Sequence, residues 1–311
     1  MIAATFSLQD LDALSGQISK NVVSNKAGYD DVVAVGTDPR INRVRLVLQD
    51  SNQSIQSGLL HSTASDPRVQ VKLVATSFVP GGPPPVGTVS SATPQAISRN
   101  AYSGPLYGGS WISNGGPTAG GNCTAGFSHV LNSLGQWYSV TAGHCGSGTY
   151  YQGRNRQGTV LGGGHTNGFA ANGTSNCDCV AVGPIGGSRP TKDVLGDGNA
   201  LFGYTNTGGS AQFQAGQRAC LSGAQTADTN NEHIICGTVV LGSTTLTETN
   251  GFHLTDAATV SFEPQQGDSG GPYGNGGSIL GIHSAYNDGL HEGGLSKAVH
   301  IAGRFNSQLI Y

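Results

Sequence analysis

Charge is scarce in this chain. Asp, Glu, Lys and Arg make up 11% of its 311 residues, under half of the roughly 25% usual in globular proteins. With 15 Lys and Arg against 18 Asp and Glu, the formal net charge is −3. No basic field is available to hold nucleic acid or an anionic membrane surface. Long apolar runs are also missing, and no stretch approaches the ~18 residues of a membrane span. The first residues, MIAATFSLQDLDALSGQ, lack the basic start and uninterrupted apolar core of a secretory signal. No CxxC pair occurs and no His–Cys spacing fits a zinc finger, so no metal site of that kind is expected. No repeat recurs at a period of roughly 20–50 residues.

What is plentiful is glycine, with 50 residues, alongside many Ser, Thr and Asn. Gly supplies the positive φ angles that tight hairpins need, which suits an all-β protein. It shows no three-residue period, so collagen is excluded. Cys stands at 123, 145, 177, 179, 220 and 236. An even number at wide spacing points to disulfides, and hence to an oxidising, secreted or extracellular setting.

Along the chain, Leu8, Leu11, Leu14, Ile18 and Val22 recur at a helical interval, predicting one amphipathic helix within 5–25. The runs Val32–Val35, Val44–Leu48 and Val69–Phe78 read as strands, with a turn over Asp38–Asn42. Together these predict a small α+β unit over residues 1–80. The segment 79–95, VPGGPPPVGTVSSATPQ, holds five Pro and three Gly without periodicity, the composition of an extended linker; the linker is placed at 81–100. From 101 to 311, short apolar runs alternate with Gly, Asn and Ser clusters: Phe127–Leu131, Trp137–Thr141, Gly158–Leu161, Val180–Val182, Gly237–Leu241 and Ser278–His283. Such spacing predicts an all-β sandwich or barrel. Val299, Ile301, Phe305 and Leu309 predict a closing helix.

Two segments carry chemistry. In Gly267-Asp268-Ser269-Gly270-Gly271-Pro272, Gly on both sides of Ser269 allows a tight turn. Such a turn exposes a nucleophilic hydroxyl and aims backbone N–H groups at a developing oxyanion. The plain alternative is a Gly-rich hairpin that happens to contain Ser. In Ser139-Val140-Thr141-Ala142-Gly143-His144-Cys145, an apolar strand leads to a small-residue corner holding His144, placed as a general base would be. A lone His there would be structural; the pairing with GDSGGP reverses that reading.

Together these motifs resemble the chymotrypsin-like serine peptidases, most like the bacterial streptogrisin and α-lytic protease branch. Cys123-Thr-Ala-Gly-Phe127 followed by TAGHC resembles that branch's opening strands, and Cys220-Leu-Ser-Gly…Cys236-Gly-Thr-Val a later loop. The run Asp38…Asn42-Arg-Val-Arg-Leu-Val-Leu48 resembles, more loosely, its folding pro-domain. The resemblance spans about 104–311 well and 30–80 loosely. It implies two antiparallel β-barrels with a C-terminal helix, preceded by a small α+β pro-domain. It also implies a serine endopeptidase that acts on polypeptides without a cofactor, monomeric, with its own N-terminal pro-segment as a partner.

Residue by residue, the resemblance implies an Asp between His144 and Ser269. Asp178, Asp193 and Asp197 are candidates. Asp178 leads into the apolar run Val180–Val182, whereas the others read as solvated loop. The N–H groups of Gly267 and Ser269 would form the oxyanion hole, and the family pairing gives Cys123–Cys145 and Cys220–Cys236. Cys177 and Cys179 would be either bridged to each other or free and buried. Gln265 stands where many relatives have Cys, and Leu221 where a basic residue pairs with the Asp of GDSGG; Arg218 is a possible substitute. Ser284 matches the pocket-wall Ser on a strand that binds substrate backbone, with Gln266 also beside the substrate. His283 in Gly281-Ile282-His283 resembles bacterial glutamyl endopeptidases and implies an acidic P1 residue. Glu263, if it points inward, would favour a basic one, and Tyr286 at the entrance a small one. Activity is expected to fall below roughly pH 6, given the ordinary His pKa of about 6.5. The rival readings are an inert relative that only binds peptides, and a precursor whose N-terminal unit blocks the cleft.

Overall fold

The computed structural model describes residues 4–50, 62–80, 98–115, 121–131, 135–185, 190–231 and 233–309. Most of the linker, 81–97, lies outside the described residues.

The N-terminal helix spans Leu8–Val23, started by Ser7, whose Oγ accepts the Asp10 N–H at 3.1 Å. Its buried stripe is Leu11, Ser15, Ile18 and Val22, while Leu8 faces solvent. That stripe packs on a three-stranded layer. Val32–Asp38 pairs antiparallel with Arg43–Gln49, which pairs parallel with Val69–Val74. The turn between the first two is held by Asp38, whose carboxylate accepts from the Arg40 N–H at 3.0 Å and its guanidinium at 2.7–2.9 Å.

Downstream are two barrels. In the first, Asn122–Thr124 and Ser128–Leu131 are successive strands separated by three residues. Asn122–Thr124 pairs with Trp111–Asn114 and Ser128–Leu131 with Gln136–Thr141. Val180–Gly183, Val160–His165 and Thr149–Gln152 complete the circuit back to Trp111–Asn114. In the second, Arg218–Leu221, Ile235–Thr247, His253–Ser261, Glu292–Lys297, Ser278–Asn287 and Pro272–Asn275 pair in that order and close on Arg218–Leu221. In the second, closure removes unpaired edges. Each barrel has its own apolar filling, around Ile112, Tyr150 and Val182 in one, and around Leu221, Val260 and Leu280 in the other. The all-β expectation with two antiparallel barrels describes this architecture.

Two local readings are corrected. Asp193 sits in the strand Pro190–Leu195, not in a loop, because pairing with Leu201–Gly203 outweighs its local polarity. The closing helix is Ala298–Phe305 and stops at Asn306 in a left-handed conformation (φ 45°). Leu309 belongs to a strand, Ser307–Leu309, paired with Ser128–Leu131.

The N-terminal layer and the second barrel share a sheet. Val32–Asp38 pairs with Ile235–Thr247, Ala34 opposite Leu246. Arg45 Nη1 meets Glu292 Oε1 at 2.7 Å in a buried ion pair. Val79–Pro80 pairs antiparallel with Ser278–Asn287, Pro80 opposite Ala285 and Val79 opposite Tyr286.

Candidate active site

Strand pairing explains why two distant residues meet. Gln136–Thr141 ends in the turn Gly143–Cys145 that carries His144, and Val180–Gly183 begins just after Asp178. The two strands are neighbours, with Val180 opposite Thr141. Asp178, fully buried, accepts the His144 backbone N–H at 2.9 Å on Oδ1 and faces His144 Nδ1 at 2.7 Å through Oδ2. His144 Nε2 lies 2.9 Å from Ser269 Oγ. Behind Asp178, its N–H donates to Ser296 Oγ at 2.9 Å, and that hydroxyl meets Ser284 Oγ at 2.9 Å. Ser284 is thus buried behind the acid.

The turn bearing Ser269 needs Gly267, which sits at φ +106°. Thr124 of the first barrel clamps it: its Oγ1 donates to the Gly267 carbonyl at 2.7 Å and its N–H to the Ser269 carbonyl at 2.8 Å. Asp268 is completely buried. It accepts from the Thr226 N–H at 2.9 Å, the Thr226 hydroxyl and the Gln265 N–H at 2.8 Å. Burial pushes its carboxyl pKa up, and those bonds pull against that. Arg218 does not serve it: the guanidinium is directed to Cys236 Sγ at 3.3 Å. Thr226, on the helix Ala224–Thr229, takes that place with neutral donors.

Among the proposed pocket residues, His283 is fully buried, its Nδ1 3.2 Å from the Tyr273 hydroxyl. Nε2 has no hydrogen-bond partner among the described residues. Burial, then the nearby His144, pushes its pKa down to about 3, so the ring is neutral at working pH. Tyr286 is half-buried. Glu263 is on the surface, paired with His291 rather than directed inward, and Gln266 is exposed. The cysteines pair as Cys123–Cys145, Cys220–Cys236 and Cys177–Cys179.

Arg99 and Glu248 carried no local signal, and Phe78 was placed only at the end of the strand run Val69–Phe78, which stops at Val74. Arg99, just after the linker, is buried. Phe78 is buried among Leu246, Phe252, Ala285 and Leu290. Glu248, in the turn between two barrel strands, is 2% exposed and its Oε1 lacks a partner among the described residues. Burial, then the charge of Asp178, pushes its carboxyl up to about 8, with His144 and Asn250 opposing. Between its ordinary 4.5 and about 8 the folded chain holds a proton that the unfolded chain has released. Its contribution to stability is therefore full at low pH and lost as pH rises through that window. Glu248→Gln is expected to raise the melting temperature at pH 8 and to leave it near wild type at pH 5. Calorimetry at both pH values checks this, and a gap independent of pH would contradict it.

No family model and no curated protein matches the chain. Solved structures do. A Nocardiopsis protease is 21% identical with a TM-score of 0.52, covering 67% of this chain and 100% of its own. Thermobifida fusca protease A is 23% identical with a TM-score of 0.53, covering 66% and 98%. A glutamic acid-specific serine protease, described as using a novel histidine triad in substrate binding, is 23% identical with a TM-score of 0.54, covering 66% and 100%. The fold is that of the chymotrypsin-like double-barrel proteases.

Proposed function

We propose that the chain is a serine endopeptidase, and the observation that carries this is the hydrogen-bonded series Asp178–His144–Ser269. Ser269 Oγ attacks the scissile carbonyl while His144 takes its proton and returns it to the leaving amine; water then releases the acyl group. Asp178 holds the imidazole tautomer and stabilises the imidazolium. The N–H groups of Gly267 and Ser269 receive the oxyanion. Three disulfides suit action in an oxidising compartment outside the cell. The direct test is a cleavage profile of a peptide library; a chain that cuts none of it rules the reading out.

The cut is placed after Glu in preference to Asp. His283 supports this: its buried neutral ring meets the Tyr273 hydroxyl through Nδ1, and Nε2, without a hydrogen-bond partner among the described residues, is the nitrogen that would donate to a carboxylate. Exposed Glu263 offers nothing to a basic side chain. Chromogenic peptides ending in Glu, Arg, Phe and Ala should show Glu best. His283→Ala should erode that preference by about tenfold or more, the effect of removing a hydrogen bond to a charged group. An unchanged preference in the variant would mean that the carboxylate has another partner.

Residues 1 to about 100, the α+β unit 1–80 and the linker, are read as a removable pro-segment that inhibits and aids folding. Val79–Pro80 supports this by adding a strand to 285–286, the edge a substrate would use.

A further inference from the structure

Arg99 is 1% exposed. A guanidinium keeps its charge at any accessible pH, so in a dry site its donors must find acceptors. Nη1 donates to the Gly109 carbonyl at 3.0 Å and to Ser222 Oγ at 2.9 Å. Nη2 donates to the carbonyls of Leu195 and Gly196, both at 3.1 Å. These acceptors come from three places. Gly109 precedes the first-barrel strand Trp111–Asn114, Leu195 ends the strand Pro190–Leu195, and Ser222 follows the second-barrel strand Arg218–Leu221. The Arg99 carbonyl also accepts the Trp111 N–H at 2.7 Å.

Both ends of this staple lead to the nucleophile. A Cβ at Gly223 would stand 2.2 Å from Asp268 Oδ1, so the backbone after Ser222 forms the wall on which that carboxylate rests. The Ser222 N–H donates to the Pro272 carbonyl at 3.0 Å. On the other side, the Gly109 N–H donates to the Ala125 carbonyl at 2.7 Å, next to the Thr124 clamp. The His144–Ser269 bond crosses from one barrel to the other, so its length follows the register between them. A shift of about 1 Å there costs up to ~10² in rate.

We propose that Arg99 is a positioning residue that holds the two barrels in the register the His144–Ser269 bond needs, so that any cut releasing the N-terminal residues falls before Arg99. The inference rests on the peptidase reading.

The test uses the full chain with Arg99→Gln and Arg99→Lys. It measures labelling of Ser269 by a fluorophosphonate, kcat and KM on one peptide, and the N-terminal sequence of any processed product. Arg99→Gln should lower kcat and the labelling rate by about 10- to 100-fold while KM stays within about twofold. Arg99→Lys should recover part of the loss, and processed chains should begin at or before residue 99. A folded Arg99→Gln protein with wild-type kcat overturns the proposal, as does a fully active product starting after Arg99. If Arg99→Gln does not fold, Ser222→Ala decides, since it keeps the charge while removing the Nη1 acceptor and the hydroxyl's own bond to the Leu195 carbonyl: reduced kcat at constant KM supports the staple, and wild-type kcat overturns it. A wild-type chain that neither labels nor hydrolyses peptide overturns the peptidase reading and this inference together. An active wild type with unchanged variants overturns only this inference.

Discussion

Ser269→Ala should lower kcat on any cleavable peptide by a factor of ~10⁴ or more, and His144→Ala by a similar factor. The reason is geometric. His144 Nε2 stands 2.9 Å from Ser269 Oγ, with Nδ1 held at 2.7 Å by Asp178, so the hydroxyl and its base are already aligned. Removing either leaves only the oxyanion donors and substrate binding. Because the residues act as a unit, the double variant should be scarcely slower than either single one. Steady-state kinetics on purified variants, with melting temperatures to verify folding, checks both statements. A loss of a few-fold, or losses that multiply, would sink the mechanism.

Phe78→Asp should raise the fluorophosphonate labelling rate of the intact 311-residue chain by about 10²-fold, since losing a buried aromatic costs roughly 3 kcal/mol and an unpaired charge costs more. On the pro-segment reading, Phe78 would anchor the segment that ends in Val79–Pro80. Its side chain is buried with Leu246, Phe252, Ala285 and Leu290. Its N–H donates to the Thr247 carbonyl at 3.3 Å, and its carbonyl accepts the Thr249 N–H at 2.9 Å. Phe252 continues to Phe169, whose ring lies edge-on to His144 with centroids 6.1 Å apart. On that reading a carboxylate at this position would oppose pairing of Val79–Pro80 with Ala285 and Tyr286 and leave His144, Asp178 and Ser269 unchanged. The intact chain must be verified by mass at each time point. An unchanged labelling rate would show that the segment does not restrain the site.

The sequence by itself determined the parts of this protein whose chemistry is local. The GDSGGP turn is legible because Gly267 must adopt a positive φ, and the TAGHC corner because an apolar strand must end in small residues. Asp178 was separable from Asp193 and Asp197 by the buried run that follows it. The helix over 8–23 and most strands followed from apolar spacing. The tertiary structure decided whatever depends on desolvation and on contacts across the chain. Arg99 and Glu248 belong to no motif, and only the packing around them surrounds one guanidinium with the Gly109 and Leu195 carbonyls and the Ser222 hydroxyl and raises the pKa of the other's carboxyl. Thr226 replaced the expected basic partner of Asp268 because neutral donors on a short helix reach a buried carboxylate that Arg218 does not. Leu309 kept a helical interval but became a strand, since an open edge at Ser128–Leu131 offered backbone hydrogen bonds that a last helical turn could not match. Local sequence specifies φ, ψ and which face is apolar; burial, and with it charge state and partner, is a property of the whole fold.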